Sequence, residues 1–136
     1  MKWFIVVFFS MISFSYADII LRKHNNLYCY DGDTCYVAID KVDTKIRLLE
    51  LDTPEISKPK CKQELDWGIE ARDFLNNYIA NAQSITFKTD YKKDYFGRIL
   101  AYIIIDGKDI SKLLISNNLG VTYNKNHKMD WCQVKR

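Results

Sequence analysis

The chain has 136 residues, a length suited to one domain with an ordinary core, and carries a formal net charge of +3 with 48% hydrophobic residues. That charge is too small to hold a nucleic acid by bulk attraction, so any phosphate affinity has to come from local clustering. No internal repeat, low-complexity tract or linker is present.

The N-terminus has the build of an export signal. Lys2 supplies a positive start, Trp3 to Ile12 is nearly all apolar, and Ser15-Tyr16-Ala17 offers small residues at −3 and −1 of a cleavage site. The apolar run falls short of the ~18 residues a spanning helix needs, and no Cys follows Ala17. The expectation is a signal peptide over residues 1–17, cleavage before Asp18, and an exported domain over residues 18–136, periplasmic or extracellular. Loss of Lys2 leaves the mature chain at about +2.

Four cysteines remain after cleavage, and an even count in a small exported domain reads as two disulfides with three possible connectivities. Cys29 and Cys35 flank Gly32 symmetrically across a turn, where opposed strand residues come close enough to bond. That leaves Cys61 with Cys132, closing a long loop. Zinc is the alternative, without a Cys-x-x-Cys spacing to support it.

In chain order, strand-like runs come first: Ile19–Leu21, Leu27–Tyr30, Cys35–Ile39 and Lys45–Leu51, separated by turn dipeptides such as Asn25-Asn26 and Asp31-Gly32. Thr53-Pro54 ends the fourth run, and a charged loop follows from Glu55 to Gln63. From Trp67 the period changes. Trp67, Ala71, Phe74, Leu75, Tyr78, Ile79 and Ala82 fall on one helical face. Ser84–Lys88 and Ile99–Ile105 read as strands, Asp109 as the cap of a short helix, and Val121–Tyr123 as a last strand. The expected fold is α+β, mainly β: a five-stranded OB-fold barrel with two to three packed helices.

Three phrases carry charged residues in suggestive order: Asp31-Gly32-Asp33-Thr34, Arg47 to Glu55, and Asp94-Tyr95-Phe96-Gly97-Arg98. Singly, each has a plainer explanation as a hairpin turn, a strand exit or a solvated side chain. An EF-hand fails at once, because Cys35, Tyr36 and Val42 stand where its ligands and glycine belong. Regular alternation puts Arg47 on one face with Leu49 and Leu51, where a charge has to be paired or functional. His24 and His127 match no motif.

Taken together, these phrases resemble the staphylococcal nuclease-like (thermonuclease) family from about Leu27 to Tyr123. The matching phrases are the DGDT turn, the RLLxxDTPE strand and exit, Gly68 at the helix, and FGRxLAYI. The resemblance implies a calcium-dependent phosphodiesterase acting on DNA and/or RNA and leaving 3′-phosphate ends. It further implies Asp33, Asp52 and the Thr53 carbonyl as ligands of Ca2+, Glu55 as general base, and Arg47 and Arg98 as phosphate clamps. Phe96 stands where the family usually has a Tyr that touches the nucleotide phosphate, so Tyr95 is the candidate substitute, with Tyr123 as a base-stacking ring. The C-terminal helix is much shorter than in the staphylococcal protein, and Cys61–Cys132 is expected to tether the tail in its place. The expected partner is nucleic acid, bound by a monomer without stable membrane association once processed. The competing reading is a non-catalytic nucleic-acid-binding OB-fold module, in which some of Asp33, Arg47, Asp52, Glu55 or Arg98 should be missing; none is.

Overall fold

A computed structural model describes residues 15–21 and 27–136. Most of the expected signal segment, the Asn25-Asn26 turn and His24 lie outside the described residues. The elements in order are β1 (Ala17–Leu21), β2 (Tyr28–Cys29), β3 (Thr34–Ile39), β4 (Val42–Leu48), α1 (Lys62–Ala80), β5 (Ile85–Thr89), β6 (Ile99–Ile105), β7 (Lys108–Asp109) and α2 (Ile110–Ser116). The architecture is mainly β with two helices, the fold class expected. None of the helices described is long and apolar enough to cross a membrane.

The strands form one sheet in the order β1-β5-β6-β4-β3-β2, with β7 paired to β6. All pairings are antiparallel except β4 with β6. Among the described residues the hydrogen-bonded path does not close on itself. Its two edges, β1 and β2, are nonetheless consecutive in the chain and separated only by residues 22–27. The outer edge of β2 is covered by α1: Asn76 Oδ1 accepts the Cys29 N–H at 2.8 Å and its Nδ2 donates to the Cys29 carbonyl at 2.9 Å. An edge satisfied this way offers no template for another strand.

The core lies between the inner sheet face and the helices. Ile46, Leu48, Leu51, Phe87, Ile103 and Ile105 from the sheet side meet Leu75 of α1 and Ile110 and Leu114 of α2. Both disulfides have the expected pairing. Cys29 and Cys35 sit directly opposite on β2 and β3, and Cys61 bonds Cys132.

The sequence reading and the structure differ most at three boundaries. The β3–β4 hairpin turns at Asp40-Lys41, both at positive φ (49° and 66°), without the Asn-Gly pair that would have announced it. Strand β4 stops at Leu48 because Glu50 takes φ 58°, which breaks the alternation. Arg47 therefore does not share a face with Leu51. Helix α1 starts at Lys62, five residues before the apolar stripe, with Cys61 as its N-cap.

Candidate active site

The site forms where β3 begins, β4 ends and β6 begins. Asp31 starts it. Its Oδ1 accepts the N–H groups of Asp33 (3.1 Å) and Thr34 (2.8 Å), which folds the DGDT segment into a tight bend. Gly32 is required by space: a Cβ there would come within 2.7–2.9 Å of the Thr53 side chain. The bend delivers Asp33, only 6% exposed, into the centre of the site.

Asp33 is the hub. Its Oδ2 accepts the Thr53 N–H at 3.1 Å and lies 3.3 Å from Arg47 Nη2, while its Oδ1 accepts the Thr34 hydroxyl at 3.2 Å. Arg47 is thus paired, as a charge in this position must be. Its Nη1 also donates to the Leu48 carbonyl at 2.9 Å, which fixes the plane of the guanidinium. Parallel pairing of β4 with β6, with Arg47 opposite Leu100, brings in the third phrase. Arg98 Nη1 donates to Thr34 Oγ1 at 3.0 Å, and its Nε donates to Asp94 Oδ2 at 2.7 Å. Arg98, Thr34, Asp33 and Arg47 therefore form one continuous chain of contacts.

Asp52 enters from the loop after β4 and is 5% exposed. Its backbone is held by Val121, each N–H donating to the other's carbonyl at 2.9 Å. The Val121–Tyr123 strand expected from sequence amounts to this one bridge. Burial, and then the neighbouring Asp33 carboxylate, push the Asp52 carboxyl above its ordinary range; Lys128 and Arg47 act against them. Burial, and then Asp33, likewise push Asp31 up to about 7. Burial and mutual repulsion thus both disfavour the ionised form of these two carboxyls.

Glu55 lies on the rim, half-exposed, within electrostatic reach of Asp52. Helix α1 holds its backbone: the Glu55 N–H donates to Glu64 Oε1 at 3.4 Å, and the Lys60 N–H donates to Glu64 Oε2 at 2.6 Å. Glu64 is buried, and sequence reasoning missed it. Cys61-x-x-Glu64 is a capping pattern with sulfur in place of a hydroxyl, Cys61 Sγ accepting the Glu64 N–H at 3.4 Å. Gly68 packs against the same segment, with no room for a Cβ beside the Pro54 carbonyl (2.8 Å). The Glu55 side chain meets a second residue the sequence gave no sign of: Lys128 Nζ donates to Oε1 at 3.2 Å. Burial pushes the Lys128 ammonium pKa down, but the hydrogen bond to Glu55 and the nearby carboxylates outweigh it and raise it.

The rings divide. Tyr123 lies at the site, its ring 5.9 Å from the Arg47 guanidinium carbon. Tyr95 is 96% exposed and packs edge-on against Phe96, and it is Phe96 whose ring lies 5.4 Å from the Arg98 guanidinium carbon. Among the described residues no three His, Cys, Asp or Glu side chains cluster tightly enough to hold a metal ion unaided.

The chain matches the staphylococcal nuclease homologue family over residues 45–133, a span that includes Arg47, Asp52, Glu55 and Arg98 but begins after Asp33. It is 33% identical over 101 residues to a thermonuclease of Staphylococcus hyicus, covering 72% of this chain and 59% of that protein. It is 33% identical over 92 residues to endonuclease YncB of Bacillus subtilis, covering 65% of this chain and 42% of that protein. It is 36% identical over 93 residues to the SPbeta prophage-derived endonuclease YokF of the same organism, covering 65% and 30%. The chain thus spans between about a third and three fifths of these relatives. On the family match and the relatives together, the chain belongs to the staphylococcal nuclease homologue family.

Proposed function

We infer that the protein is an exported, calcium-dependent endonuclease that hydrolyses phosphodiester bonds of DNA and/or RNA and leaves 3′-phosphate ends. The observation that carries this reading is the contact chain Arg98–Thr34–Asp33–Arg47, which joins both guanidiniums to the buried Asp33, with Arg47 also within electrostatic reach of the buried Asp52. The relatives named as endonucleases and thermonuclease agree with it. Two disulfides favour an oxidising compartment, and the apolar segment before Asp18 is the proposed, cleaved export signal.

The donor set fits a hard cation. Burial and then the Asp33 charge disfavour the ionised Asp52, and a hard cation held by Asp33 and Asp52 would offset both. Asp33, Asp52 and the Thr53 carbonyl would hold the ion; since calcium takes six to eight oxygens, the remaining ligands would have to come from solvent and substrate. When bound, calcium neutralises part of the charge on a phosphoryl oxygen.

The chain's own groups do the rest. Glu55 takes a proton from the attacking water as its oxygen bonds to phosphorus. Arg47 and Arg98, already oriented by Asp33 and Asp94, hold the phosphoryl oxygens with paired N–H groups, a geometry a Lys point charge lacks. The bond to the 5′ oxygen breaks, Arg98 stabilises that oxygen as it leaves, and the phosphate stays on the 3′ side. Tyr123 offers a stacking face for a base, and the exposed Tyr95 a hydroxyl for the nucleotide phosphate in place of Phe96. The test is a digest of plasmid DNA and of RNA with calcium and with chelator, followed by mass analysis of the ends. Cleavage only with calcium and 3′-phosphate ends are expected; cleavage in chelator, or 5′-phosphate ends, contradicts the mechanism.

A further inference from the structure

We propose that Lys128 is a positioning residue for Glu55, delivered to it by a tail that the Cys61–Cys132 cross-link anchors; this rests on Glu55 being the base of the reading above. Lys128 lies 73 positions beyond Glu55, on a segment of irregular backbone. Such a segment needs an anchor to keep a side chain in one place.

The anchor is built from several contacts, all on the first turns of α1. Cys132 is bonded to the N-cap residue Cys61. Gln63 Nε2 donates to the carbonyls of Trp131 (2.7 Å) and Val134 (2.8 Å). Trp131 is buried edge-on against Trp67, ring centers 5.0 Å apart. Arg136 pairs with Glu70 and lies over the Trp67 ring. These are the same turns from which Glu64 holds the Glu55 N–H and Gly68 packs against Pro54. Helix α1 thus fixes Glu55 twice: its backbone directly, and its carboxylate through the tail and Lys128.

A bond to Oε1 fixes the rotation of the carboxylate, and a general base works only within hydrogen-bond reach of its proton. Small displacements of such a group cost large factors in rate. The pair is exposed enough to add little to stability, with side chains 64% and 39% accessible. Lys128 therefore acts on turnover with little effect on melting.

The test is steady-state hydrolysis of a labelled oligonucleotide in calcium. Lys128→Met should lower kcat about tenfold, with KM changed less than about twofold and an unaltered melting temperature. Lys128→Arg should restore most of kcat, and Lys125→Met, a charge lost elsewhere in the tail, should leave it at the wild-type value. The Cys61→Ser/Cys132→Ser variant, assayed below its melting transition, should lose kcat similarly. Adding Lys128→Met to it should then cost less than about twofold more. Wild-type kcat in Lys128→Met, a loss confined to KM, equal loss in Lys125→Met, or multiplying losses in the combined variant would each overturn the proposal. Full activity in Glu55→Gln would instead remove the base itself. An inactive Glu55→Gln beside a fully active Lys128→Met would remove only the role of Lys128.

Discussion

Asp33 and Asp94 play matching parts at the residue scale, each holding one arginine in place. Asp94 Oδ1 accepts the N–H groups of Phe96 (2.9 Å) and Arg98 (3.0 Å), and Oδ2 accepts Arg98 Nε. Burial pushes the Asp94 carboxyl up, but the hydrogen bonds and charge of Arg98 outweigh it and leave it below its ordinary range. The folded state thus favours the ionised form. The stability this gives is fully present above the ordinary value of 3.8 and is lost as pH falls through the lower folded value. Thermal melting at pH 6 and pH 3 should show a larger drop for wild type than for Asp94→Asn; equal drops would mean that Asp94 does not hold Arg98 in solution. Gly32 makes a second residue-scale prediction. A methyl group there collides with Thr53, itself bonded to Asp33, so Gly32→Ala should cost roughly 1–3 kcal/mol in denaturant unfolding. A neutral effect would show that the bend and Thr53 can part without penalty.

Helix α1 is the element that turns a strand exit into a site. Gly68→Ala places a methyl against the Pro54 carbonyl and the Ile56 side chain (2.8 and 2.9 Å), in the segment that carries Glu55. Hydrolysis should fall about tenfold or more while far-UV circular dichroism stays native; full activity would mean that the segment yields without moving the base. The Cys61–Cys132 cross-link closes a loop between residues 71 positions apart, a constraint worth ~4 kcal/mol in the chain-entropy account. Its removal by Cys→Ser exchange should lower the melting temperature by about 15 °C, and an unchanged value would show that the tail needs no tether. Strands β3, β4 and β6 were legible from apolar runs between turns, and α2 from Asp109, whose carboxylate does accept the Ser111 N–H at 3.0 Å. The first turn of α1 was not legible, because its cap is a cysteine and its buried residue, Glu64, is charged. The three charged phrases could be read in sequence because each is local. Lys128 could not, since its contact depends on a disulfide, two tryptophans and a glutamine acting together from distant positions.

Across the whole molecule, the pairing of β3 with β4 and of β4 with β6 brings three strand ends to one place, and the charges of the site collect there. The net charge of +3 is therefore a poor guide to function, because the center is acidic and its arginines are committed to carboxylates. A cation should relieve that excess, so calcium should raise the melting temperature of wild type and do so much less in Asp52→Asn; equal shifts would place the ion elsewhere. The central claim is that these charges form one hydrolytic site with Glu55 as its base. Its most direct measurement compares wild type with Glu55→Gln on one labelled single-stranded oligonucleotide, reading cleavage in calcium and binding by anisotropy in chelator. Cleavage should fall at least about a hundredfold, with binding changed less than about threefold. Wild-type cleavage by Glu55→Gln would contradict it.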